Sequence, residues 1–478
     1  MPSPLDLSPG DSLGPFHLGS LLFNVLNHIR SHRSVYPAAK LAWDDDSPSS
    51  SPIHLILSSP PLHLTFCPLE QRLCRIEVGS ASPGSWVSYR GKRLKDARDD
   101  EEDLVKTVRR VLGPTYGSSQ GTGGASGEKE MLSYPGVAFG VVKDGAGGSS
   151  LSRIVLTPLP APPNVPVDQA WLHPALPDSP SAANGDLSVA EILLDSSRKP
   201  SAVILHFHSS PEGSINPIEL RIGSTTSEDV LCELSSAVRS FWKEDDRMSI
   251  HNASAPSPSS SDPSMALNPY FLSYPHLGLT LLVSPPQSPS SAPHLLTKII
   301  LHSNLPGEVN FGRNARCAWR LASQGQEGEA GRGVGVEDGF ETVREMLKPS
   351  GSSNRSVNGR GAPPSPYVAP VPTGGLRPKT KLANGRKPSA REKEVDLLGL
   401  SLNLEDSIRS GASGSSGRGS AEGGDAAEVD EEERPMILDR TADGGEGCIK
   451  GKTTEIHGFP GIALEVTGSG DIETVWLF

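Results

Sequence analysis

The stretch "GGEGCIKGKTT" (444–454) holds the chain's best candidate for phosphate chemistry. A phosphate-cradling loop needs G-x-x-x-x-G-K-[ST] after a strand and at the opening of a helix, so that backbone N–H groups and a lysine surround the anion. Lys452 and Thr453 fit the last two positions. The first glycine falls on Glu446, whose carboxylate would repel phosphate, and a strand pattern follows instead of a helix. "GRGVGVEDG" (331–339) is glycine-rich ahead of a helix but lacks the G-x-G-x-x-G spacing and reads as a linker. His206 and His208 stand two apart, which on a strand puts both on one face, as a metal pair requires. No third ligand lies near them, so a surface pair is the simpler reading. Cys67 and Cys74 flank a turn without a C-x-x-C and read as small buried hydrophobes. No G-x-S-x-G nucleophile elbow occurs. The sequence therefore offers no catalytic residue, no metal ligand set and no cofactor site, and the expectation is a protein that is not an enzyme.

Two stretches suit binding better than chemistry. "FWKEDDRMSIH" (241–251) sets Trp242, Lys243, Arg247 and His251 among carboxylates. Aromatic and arginine anchors inside a polar rim mark interfaces, although the same run also fits a solvated connector. "LHSNLPGEVNF" (301–311) leaves a strand through Asn304, Pro306 and Gly307, which is turn chemistry first and a recognition loop second. These seven residues are the candidate partner-binding set.

Composition limits what could hold them. The 478 residues include 50 glycines and 44 prolines, while hydrophobic residues are 35% and aromatics 5%. This predicts a globular part diluted by disordered inserts. A net charge of −12 argues against bulk nucleic-acid binding, which needs a basic surface. Five cysteines without metal-type spacing fit a reducing, cytoplasmic compartment. No basic-then-apolar leader opens the chain, and no apolar run approaches the roughly 20 residues of a membrane span.

The elements that must position the candidates recur. "SYPGVAFGVV" (133–142), "SYPHLGLTLLV" (273–283) and "HGFPGIALEV" (457–466) each place an aromatic residue and proline before an alternating run. Alternation puts Val137, Phe139 and Val141 on one face, then Leu277, Leu279 and Leu281, then Ile462, Leu464 and Val466. A second strand follows each time, at 152–160, 297–306 and 471–478, and a diverged hairpin is predicted at 62–78 with its turn near Pro68–Gln71. Helical stripes precede the hairpins: Leu22, Val25, Leu26 and Ile29; Leu104, Val108, Val111 and Leu112; Val230, Leu234 and Val238; Phe340, Val343 and Leu347. Thr226 and Asp229 have the spacing of a capping box, and "FHLGS" (16–20) and "LRIGS" (220–224) are shared lead-ins.

The resulting expectation is an α+β fold of tandem repeats, each a helix plus an antiparallel β-hairpin, with long disordered inserts. The units are 13–90, 99–210 with an extra hairpin at 187–195 and 201–209, 217–325 with Ser/Pro-rich inserts, and 337–348 plus 453–478. Residues 349–452, basic then acidic, are expected to be a disordered insert. The many Ser-Pro dipeptides along the chain make phosphorylation an expectation.

"FWKEDDRMSIH", "YPHLGLTLLV", "KIILHSNLPGEVNF", "LEQRLCRIEV" and the terminal "GIALEVTGSGDIETVWLF" together resemble the phagophore assembly factor 1 family, across roughly 13–348 and 453–478 in matching order. The resemblance implies a non-enzymatic cytoplasmic adaptor in autophagy. It would act with a WD-repeat, phosphoinositide-binding partner at the phagophore assembly site, and touch membrane peripherally through that partner. A role as a Golgi-linked lipid- or ligand-binding protein in vesicle traffic is the alternative the family leaves open.

Overall fold

A computed structural model describes residues 4–79, 83–94, 104–114, 119–120, 129–143, 149–159, 185–208, 215–242, 269–285, 293–323, 333–348, 392–396, 435–439 and 452–478. Among these residues strands dominate and four helices occur, so the content is mixed α and β.

Helix α1 (Leu22–Ser31) is followed by strands β1 (Ala39–Asp44), β2 (Ile53–Leu57), β3 (Leu62–Phe66) and β4 (Leu73–Gly79). Helix α2 (Leu104–Leu112) is followed by β5 (Lys129–Tyr134), β6 (Val137–Lys143) and β7 (Ser149–Leu156). These seven strands lie in one nine-stranded antiparallel sheet, whose outer strands are Ser119–Gln120 and Glu392–Asp396, and its two halves join where β7 pairs with β4, Leu156 opposite Ile76. Next come β8 (Leu187–Leu194) and β9 (Pro200–Phe207), then helix α3 (Ser227–Leu234). β10 (Arg239–Trp242), β11 (Tyr270–Tyr274), β12 (Leu279–Ser284) and β13 (Leu295–His302) form a meander. After β14 (Trp319–Ser323) and helix α4 (Phe340–Leu347), the chain ends in β15 (Thr453–Phe459), β16 (Ile462–Val466) and β17 (Ile472–Leu477). β17 pairs with β13, Leu477 opposite Ile299, which makes a second antiparallel sheet. A five-stranded sheet flanks each large one. The second of these contains β8 paired in parallel with β14, so the hairpin 187–207 packs its Ala190, Ile192 and Leu194 into the core of the second large sheet.

The apolar periods select the buried faces. Leu22, Val25, Leu26 and Ile29 of α1 are all buried on the first sheet, each stabilising the fold by about 1.5–3 kcal/mol through area removed from water. Val137, Phe139 and Val141 lie in the same core. Leu279, Leu281, Ile462 and Leu464 line the second core with Val343 and Leu347 of α4. One correction follows. Val238 does not extend the stripe of α3: the helix stops at Leu234, Ser235 takes φ +64°, and Val238 is 60% exposed. The side chain of Leu104 lies outside the described residues.

The aromatic–proline pair is also not a strand opening. Tyr134, Tyr274 and Phe459 end one strand, and the proline begins the turn into the next. Proline has no N–H for the ladder, so the chain reverses there. In the first copy Gly136 has φ +76°, and a Cβ on it would lie 2.3 Å from the backbone nitrogen of Gly10, so no side chain fits. Within 349–452, residues 392–396 and 436–439 are strands on the outer sides of β1 and β15. The rest of that segment lies outside the described residues, apart from Pro435 and Lys452.

Candidate partner-binding surface and the seam between the sheets

The loop after β13 meets the first sheet. Asn304 adopts φ +51° and Gln71, in the turn between β3 and β4, adopts φ +52°. The side-chain amide of Gln71 donates to the carbonyl of Asn304 at 2.7 Å, and the amide of Asn304 donates to Oε1 of Gln71 at 2.6 Å. Oδ1 of Asn304 accepts the N–H of Gly312 at 2.7 Å, which folds the loop back on itself. Both side chains are buried. Each polar atom needs its partner, because a buried amide left unmade costs its full desolvation.

Neighbouring contacts extend this seam. Arg72 is buried and bridges the Gly19 carbonyl at 2.8 Å and the Asp186 carboxylate at 2.9 Å. Arg30 of α1 donates to the carbonyl of Gly312 at 3.0 Å. Phe311 joins the first core and packs edge-on against Trp43. Lys452 pairs with Asp45 at 3.0 Å. Gly307 (φ +90°) lies over that pair: a Cβ there would approach Asp45 Oδ1 to 3.3 Å and Lys452 Nζ to 3.4 Å. Fully buried Arg316 donates to the carbonyls of Ser303 and Val336, and burial pulls its pKa down to about 10.

The structure therefore separates the seven candidates. Asn304, Pro306 and Gly307 are buried in contacts within the chain. Trp242 ends β10, the outermost strand of the second sheet, and is 54% exposed. Its ring lies 5.3 Å from that of Tyr270, which lies 5.6 Å from His294, so three rings step across the sheet edge. Lys243, Arg247 and His251 lie outside the described residues. Gln71, Arg72 and Asp186 were not found from sequence: nothing local in a turn glutamine announces a partner 233 positions away.

The chemical candidates resolve individually. Lys452 is held by Asp45, and the residues after it enter a strand, not the helix a phosphate loop opens. Glu446 lies outside the described residues. His206 pairs with Glu191 at 3.1 Å. Among the described residues no group of three or more His, Cys, Asp or Glu side chains is placed to hold a metal ion. Burial pushes the thiols of Cys67 and Cys74 up, and that of Cys317 up to about 12, so all three stay protonated and poorly nucleophilic. His54 and His63 share a hydrogen bond at 3.0 Å on the face of the first sheet away from α1. Burial, then the neighbouring His63 and Arg75, pull His54 down to about 3. A recess of about 300 Å³ beside α3 carries the carboxylates of Glu219, Asp229 and Glu233, which suit neither a phosphate nor a fatty chain. No described helix is long and apolar enough to cross a membrane.

The family model for phagosome assembly factor 1 matches residues 12–478. A PHAF1 protein of Arabidopsis thaliana is 22% identical over 389 residues, covering 76% of this chain and 86% of the relative. A PHAF1 protein of Drosophila melanogaster is 24% identical over 343 residues, covering 67% and 74%. No solved structure matches. A match that spans both sheets and the seam between them makes this chain a member of the phagosome assembly factor 1 family.

Proposed function

We propose that the chain is a non-enzymatic adaptor of autophagy that works with a WD-repeat, phosphoinositide-binding partner at the phagophore assembly site. Family membership supports a role in phagosome assembly. The observation that carries the adaptor reading is the edge of the second sheet, where Trp242 stands exposed beside Tyr270 at the entrance to the charged run 243–251. A half-exposed tryptophan on an outermost strand is an anchor that a protein partner can bury. The cytoplasm is the compartment this reading requires, and membrane contact comes through the partner.

The same reading treats the architecture as tandem duplication, each unit a helix followed by a short antiparallel meander. Matching hydrogen bonds support it. Tyr134 donates its hydroxyl to Gly113 O after α2, and Tyr274 to Ser235 O after α3, both at 3.0 Å. The lead-in glycines Gly19 and Gly223 donate to Leu73 O and Leu296 O, both at 2.7 Å.

Vesicle flotation tests the proposal. The purified chain should stay with the soluble fraction when mixed with phosphoinositide vesicles, and float once the WD-repeat partner is added. Flotation of the chain alone would instead favour direct lipid handling in vesicle traffic.

A further inference from the structure

Arg30 lies on α1 where the first sheet meets the loop that leaves the second. Its Nη1 donates to Oδ1 of Asn27 at 3.3 Å and to the carbonyl of Gly312 at 3.0 Å, and both acceptors are neutral. Its Nε is shut off from solvent without an acceptor. Among the described residues no carboxylate pairs with this guanidinium, and the loop's own acid, Glu308, is buried in contacts of its own. Two more arginines stand close. Arg33 comes three residues after Arg30, about one helical turn on, and Arg313 adjoins the Gly312 that Arg30 grips. Burial, then Arg33 and Arg313, pull the pKa of Arg30 down to about 10.

A guanidinium taken out of water normally has a carboxylate beside it, because its desolvation is costly. The same seam shows the rule: Arg72 binds Asp186 and Lys452 binds Asp45. Arg316 also donates only to carbonyls, but it is 7% exposed and enclosed by the chain. Arg30 and Arg313 are half-buried and Arg33 is exposed, so a solute can reach this group. The chain as a whole carries a net charge of −12. Cations gathered here without an acid for Arg30 are therefore a local feature, and what they lack is an anion.

We propose that Arg30, Arg33 and Arg313 form a binding site for a phosphate monoester on an extended segment of a partner protein. Guanidinium groups donate in pairs to phosphate oxygens, and a dianion supplies the charge that the site lacks. A protein segment suits the position better than a membrane does. Arg30 is half-buried between α1 and the loop, where a phosphate on a side chain can enter and a flat layer of headgroups cannot follow. A chain of this net charge is also repelled by an anionic surface. Arg30 and Arg33 come from the helix of the first sheet and Arg313 from the loop of the second, so the bound phosphate ties the two together. The inference stands independently of the WD-repeat reading.

Fluorescent peptides Gly-Gly-pSer-Pro-Gly-Gly and Gly-Gly-Ser-Pro-Gly-Gly serve as probes for the full chain, made unphosphorylated, at one fixed ionic strength. The phosphopeptide should bind about tenfold more tightly or better. Arg33→Gln, a change at an exposed residue, should weaken phosphopeptide binding by about tenfold and leave the melting temperature unchanged. Arg30→Gln should weaken it at least as much if it folds. Arg33→Lys keeps the charge but loses the fork, so its affinity should fall between those of wild type and Arg33→Gln. Hydrogen exchange at the amide of Gly312 should slow when the phosphopeptide is added. Equal binding of the two peptides, wild-type affinity in folded Arg33→Gln, or binding to phosphoinositide vesicles without phosphopeptide binding overturns the proposal.

Discussion

Gln71 and Asn304 close a two-way amide lock, with bonds of 2.7 and 2.6 Å that join a turn of the first sheet to the loop leaving the second. Both residues hold left-handed backbone, which a non-glycine residue adopts at some cost, so the hydrogen bonds over-determine the conformation. Together with Arg72–Asp186 and Asp45–Lys452, this lock fixes the two sheets against each other.

Gln71→Ala and Asn304→Ala should each destabilise the chain by about 1–3 kcal/mol, because each leaves a buried amide without its partner. The double variant should cost less than the sum, with a coupling of about 0.5–3 kcal/mol in a denaturant-unfolding cycle. Strict additivity would mean that the two side chains do not meet in solution.

Tyr134→Phe and Tyr274→Phe should each lower stability by about 0.5–1.5 kcal/mol, the net worth of one hydrogen bond to a helix-end carbonyl. In the third aromatic–proline stretch the aromatic residue is Phe459, which carries no hydroxyl. Thermal melting checks the magnitude. An unchanged melting temperature in both variants would remove the shared cap from the account.

Thr226→Ala should cost about 1 kcal/mol and speed hydrogen exchange in the first turn of α3. Thr226 accepts the N–H of Asp229 at 3.1 Å, while Asp229 accepts that of Thr226 at 2.9 Å. Removing the hydroxyl breaks one bond of this reciprocal pair.

Acid should unfold the first sheet through His54. Its ordinary pKa of 6.5 applies in the unfolded chain, whereas the folded state holds it at about 3. Between those values the unfolded state binds the extra proton, so stability is lost as pH falls below about 6.5 and the loss levels off near 3. By pH 5 the penalty reaches about 1–2 kcal/mol. His54→Gln should flatten that slope in urea midpoints measured from pH 7 to 5. An equal slope in both proteins would place the acid sensitivity elsewhere.

Much of the local structure was legible because local physics decides it. The stripe of α1 and the Thr226–Asp229 box follow from helical period and capping chemistry, and both appear where the sequence put them. The strands 129–134 and 270–274 were missed because proline looked like a beginning, although a residue without an N–H more naturally ends a ladder. The parallel pairing of β8 with β14 and the Gln71–Asn304 lock join residues over a hundred positions apart. Their side chains are ordinary turn and strand residues whose roles exist only after both sheets have formed. Of the candidate binding set, the turn chemistry of Asn304 and Gly307 was readable, but its partner across the seam was not.

The adaptor account is tested most directly by affinity purification of the full chain from its own cells, with Trp242→Ala in parallel. Trp242 is 54% exposed at the sheet edge, so its truncation should leave the melting temperature within about 1–2 degrees of wild type. The account predicts that the wild-type chain recovers a WD-repeat protein in quantitative mass spectrometry, and that Trp242→Ala loses most of it. Repeated purifications without any WD-repeat protein, or full recovery by the folded variant, would contradict it.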